Sequence, residues 1–186
     1  MSTLLGFFWP MFAFALIVGL IAGLIGFHRK RPLTKGTHAG PMPAPPKTPH
    51  RLYAALGTGI AISLAGAAIW TGPLGAADRL TSQVERQARE ALDYYEMPKV
   101  TAHLHRAPLT RRLVLAGGPL DVWQRGELAR LFSQVPGVSR ATWSDGEAGL
   151  PLIVESLIVS LLGFVFGLLL AYLVQLRRRY NAQWTW

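Results

Sequence analysis

Three apolar stretches, each about 20 residues or longer and each bounded on one side by arginine or lysine, limit this chain's fold more than any other feature. A helix rises about 1.5 Å per residue, so such a stretch crosses a hydrocarbon layer ~30 Å thick. The stretches fall in residues 1–27, 52–72 and 150–176 and are expected to be transmembrane helices. Residues 73–149 mix polar and apolar positions and are expected to stand outside the membrane. The fold class that follows is an α-helical membrane protein with three transmembrane helices and a small α+β extramembrane domain of order αββαβ.

The formal net charge is +9, and the excess sits in two short segments. Residues 28–51 carry Arg29, Lys30, Arg31, Lys35, Lys47 and Arg51, residues 177–186 carry Arg177, Arg178 and Arg179, and neither segment holds an acid. Short cytoplasmic loops of membrane proteins collect Lys and Arg, so both segments are expected in the cytoplasm. The N-terminus is then periplasmic and the C-terminus cytoplasmic, in a bacterial inner membrane. Residues 71–149 hold ten basic and nine acidic side chains, the near-neutral mixture of a soluble domain's surface. A cleaved signal peptide would carry its basic residues ahead of the apolar run. Here they follow it, and the run is expected to remain as the first span. Cysteine is absent, which excludes disulfides and thiolate metal sites.

Six prolines between Pro32 and Pro49 deny the linker 28–51 a helix or a ladder and favour extended conformation. It reads as a solvated tether or as a strap laid along a partner. Beyond the second span, Leu80, Val84, Ala88, Ala91 and Leu92 recur at helical spacing among charged residues, an amphipathic helix that Pro98 closes. Val100, Ala102 and Leu104 alternate with Thr101, His103 and His105, the period of a half-buried strand. A second strand fits 112–116, Asp121 is placed to cap a helix using Leu128, Leu131, Phe132 and Val135, and 138–143 reads as a third strand.

Two of these segments carry a family likeness. The run Leu113-Val114-Leu115-Ala116-Gly117, followed by a helix closing on Gln134-Val135-Pro136-Gly137-Val138, resembles the BON domain, a small α+β module of bacterial envelope proteins. The resemblance covers residues 78–143, with Gly137 at the family's most typical glycine position. It implies a periplasmic module able to bind phospholipid or cell-wall material.

Candidates for chemistry are few. His103 and His105 share one face of a strand, near enough for a metal, but no further ligand falls at a companion position, and the metal site is expected to be none. His28 begins a run of charges and reads as an interfacial anchor. Glu155, the one acid inside a span, lies in the first turn after Pro151, where a helix N-terminus favours a carboxylate. No phosphate loop, zinc pattern or nucleophile elbow is present. The chain is therefore expected to be no enzyme, to hold no cofactor and to bind no nucleic acid.

What remains is association. Ala15, Gly19 and Gly23 form a small-residue ridge on the first span, Ala55, Gly59, Ser63 and Ala67 on the second, and Gly163, Gly167 and Ala171 on the third. Small residues at every fourth position let membrane helices approach closely. Three helices satisfy only some of these faces among themselves, so the ridges are the expected helix-packing interface, internal or toward other subunits. In the tail 177–186, Trp184 and Trp186 are either headgroup anchors or anchors on a neighbouring subunit. The expected function is a non-catalytic accessory subunit of a larger inner-membrane complex, photosynthetic or respiratory, whose partners are other integral membrane subunits and lipids. The alternative is a stand-alone envelope protein binding phospholipid or cell-wall components.

Overall fold

The computed structural model describes residues 2–27, 50–143 and 149–181. The elements run α1 (Ser2–Phe27), α2 (His50–Thr71), α3 (Ala76–Tyr94), β1 (Val100–Arg106), β2 (Leu109–Gly117), α4 (Val122–Phe132), β3 (Arg140–Thr142) and α5 (Leu152–Asn181). Of these, α1, α2 and α5 are long and apolar enough to cross a membrane. His28, the proline-rich linker, Trp184 and Trp186 lie outside the described residues.

Between α2 and α5 the chain builds a three-stranded sheet of order β1-β2-β3. The β1 and β2 strands are antiparallel with Leu104 opposite Leu113, and β3 joins parallel to β2 after the crossover through α4. The amphipathic face of α3 supplies Leu80, Val84, Ala88 and Leu92, all buried against the sheet with Leu104, Leu113, Leu115, Leu128 and Phe132. Burying one such leucine or phenylalanine is worth about 1.5–3 kcal/mol. Asp121 caps α4 as its position demands: its carboxylate accepts from the Val122 amide at 2.7 Å, and the Gln124 side chain accepts from the Asp121 amide at 3.1 Å.

Gly137, just after α4, has φ +104°, and a Cβ there would stand 2.6 Å from Val84 Cγ2. Backbone in that region is adopted with ease by glycine, and here glycine also lets the turn press on α3.

The same core includes Phe7 of α1 and Leu152 of α5, with Trp70 of α2 packed against it. The sheet-bearing segment is thus continuous with the ends of the three long helices.

Candidate functional site

The α1–α5 seam is built by backbone contact. A Cβ on Gly163 would fall 2.6 Å from the Phe12 carbonyl oxygen, one on Gly19 would overlap the Phe164 carbonyl, and one on Gly167 would overlap the Leu16 carbonyl. Ala15 and Ala171 are fully buried beside them, and a Cβ on Gly23 would meet the Ala171 methyl at 2.5 Å. With nothing between the helices, dispersion contacts accumulate along their length, which is how helices adhere when the solvent is as apolar as they are.

Side chains complete the seam with α2. The Phe164 ring fills the space opposite Gly59, where a Cβ would stand 2.7 Å from it, and Ser63 and Ala67 are buried on the same face. Ser160 Oγ donates to the Ser63 carbonyl at 2.8 Å, a hydrogen bond between two helices at a depth where water offers no substitute. Ala55 is half-buried. All the ridge residues but Ala55 therefore pack against this chain's own helices, and Ala55 lines an open groove between α1 and α2.

Polar contacts tie the sheet to the helices. Arg111 on β2 grips Glu155 in the first turn of α5, Nε to Oε2 at 2.6 Å and Nη2 to Oε1 at 3.1 Å, the two side chains being 20% and 16% exposed. A planar guanidinium meeting a carboxylate at two points fixes orientation as well as distance. The sequence showed Glu155 without a companion; its partner comes from 44 residues away. Thr110 bridges Pro151 beside it. On α1, Pro10 lacks the amide that would bond the Gly6 carbonyl, and one residue on the Phe7 carbonyl accepts from Trp70 Nε1 at 3.1 Å.

Two openings adjoin these contacts. One is a cleft of about 370 Å³ where Phe7 and Trp70 face Arg79, Gln83 and Gln87 of α3. The other is an apolar groove of about 460 Å³ between α1 and α2.

His103 is exposed on β1, while His105 Nδ1 lies 3.0 Å from the Pro108 carbonyl. Among the described residues no group of three potential metal ligands forms.

The surface that sequence reasoning missed is the outward face of α2, the least buried of the three spans. Gly57, Ala61, Ala65 and Ala68 are exposed there, on the side of the helix opposite Gly59, Ser63 and Ala67. A four-residue period of small residues runs along both sides of α2, and the period alone does not say which side the other two helices take. No family model, curated protein or solved structure matches this chain.

Proposed function

We propose that the chain is a non-catalytic accessory subunit of a larger bacterial inner-membrane complex and serves its assembly or stability. The observation that carries this reading is the exposed small-residue face of α2. A helix facing lipid gains nothing from small side chains; α5 turns Leu161, Leu169 and Leu173 outward, whereas α2 exposes Ile60, Ile62 and Ile69 only on the flanks of its small-residue face. On α2 the outward positions Gly57, Ala61, Ala65 and Ala68 leave the backbone open to close approach by another helix. In this proposal the basic segments face the cytoplasm and the sheet-bearing segment, which we read as BON-like, faces the periplasm. The charge distribution supports that orientation, and the Arg111–Glu155 contact holds the segment to α5.

The parent assembly we propose is a photosynthetic or respiratory electron-transfer complex, whose pigment or haem absorbance makes co-migration visible on a native gel. The tagged chain is expected to migrate with such a complex, and Ala61→Leu with Ala65→Leu to reduce its recovery there while insertion stays normal. Migration of the wild-type chain as a small free species would instead favour the stand-alone envelope reading. A reporter active only in the periplasm is expected to be active after Gly118 and silent after Gly40; the reverse pattern would invert the topology.

A further inference from the structure

The groove between α1 and α2 has a shape and a charge that name an occupant. Its α1 wall is Val18, Ile21 and Ile25, and its α2 wall is the small run Ala54, Ala55 and Thr58. The Thr58 hydroxyl donates to the Ala54 carbonyl at 2.7 Å, which leaves no polar demand in the groove itself. At one end stands Arg51, exposed, and among the described residues it has neither a hydrogen-bond nor an ion-pair partner; at the other end is Ile62. Arg51 and Ile62 are 11 residues apart, roughly 16 Å along the helix at ~1.5 Å per residue. That is about half of a ~30 Å hydrocarbon core, the depth of one leaflet. A groove of about 460 Å³ running over that length, apolar along its walls and basic at one end, suits an acyl chain beneath a charged headgroup.

We infer that this groove is a binding site for an anionic phospholipid of the leaflet on the Arg51 side, with one acyl chain along Ile21, Ile25 and Thr58 and the phosphate on the Arg51 guanidinium. Basic residues at the mouth of an interhelical pocket recognise anionic headgroups, and the apolar channel beneath accounts for the chain. The site lies beside the Gly57–Ala68 face without sharing its residues, and its test needs no partner subunit.

The full-length chain is reconstituted in nanodiscs of mixed phosphatidylglycerol and phosphatidylcholine, and the lipid retained after gentle detergent release is read by native mass spectrometry. Wild type is expected to retain one phosphatidylglycerol per chain in preference to phosphatidylcholine. Arg51→Gln is expected to lower that preference about fivefold, the worth of one basic side chain near an anionic surface. Thr58→Leu, which fills the groove and leaves Arg51 in place, is expected to reduce retention of either lipid. An unchanged preference in Arg51→Gln overturns the headgroup assignment, and unchanged retention in Thr58→Leu overturns the groove. Because the chain has no cysteine, Ile21→Cys and Ile62→Cys add the remaining arm: a disulfide-linked dimer of either variant in the bilayer means that the groove seats a second copy, and the lipid proposal fails.

Discussion

Along the α1–α5 seam, glycines and alanines bring two backbones into contact, while on the outward face of α2 the same residue types stay exposed among the described residues. Gly167 and Gly57 show the contrast directly. A Cβ at the first would collide with Leu16 and Leu20 backbone, and a Cβ at the second would have nothing within 4 Å. Small residues in a membrane helix therefore state that a close approach is possible, and the fold decides which approaches are made internally. What stays open on α2 is the surface through which the chain is proposed to join its complex.

The largest expected effect comes from closing the internal seam. Gly167→Leu forces carbonyl and amide groups apart that cannot yield, and its cost is expected to be about 3 kcal/mol, the upper range for overpacking. Thermal unfolding in detergent measures it. Ala61→Leu, on the open face, is expected to change stability by no more than about 0.5 kcal/mol. Equal destabilisation by the two would erase the distinction between seam and open face.

Next is the junction. Glu155→Ala leaves the Arg111 guanidinium with its principal partner removed in a largely dry setting, at a cost of about 2 kcal/mol. Proteolysis within residues 76–142 is expected to accelerate, with Glu155→Gln intermediate. A cleavage rate equal to wild type would mean that the shared core around Phe7 and Leu152 suffices to hold the segment. Gly137→Ala, which must adopt a positive φ against Val84, is expected to cost about 1.5 kcal/mol by the same measurement, without touching the membrane seam. Ser160→Ala tests the weaker seam with α2. Its loss is expected to be about 0.6 kcal/mol, the typical worth of one interhelical hydrogen bond in a membrane protein.

The elements set by local period were legible in the sequence. The stripe Leu80, Val84, Ala88 and Leu92 lies inside α3, the alternation from Val100 is β1, and Asp121 caps α4 as its position before an apolar run required. The expected third strand, 138–143, shortens to Arg140–Thr142, the residues in parallel register with Arg112–Val114 of β2. The ridges were legible as rows of small residues, but the helix that each residue meets was not. Nothing in Gly19 or Gly163 records that each faces the other helix's backbone, since that depends on how three helices share their faces. Glu155 was legible as an acid at a helix start, and its bidentate partner Arg111 was hidden by 44 residues of intervening chain. The open face of α2 went unread because the four-residue period marks both sides of the helix at once, and only the packed structure separates them.

Site-directed cross-linking in native membranes tests the accessory-subunit account most directly, and the cysteine-free chain suits it. Single cysteines at Ala61 and Ala65 probe the open face of α2, and single cysteines at Leu161 and Leu169 probe the lipid-facing side of α5. The account predicts an adduct between this chain and a different polypeptide at Ala61 and Ala65, in yield well above either α5 position. No adduct at the α2 positions, or equal yields from all four, would contradict it.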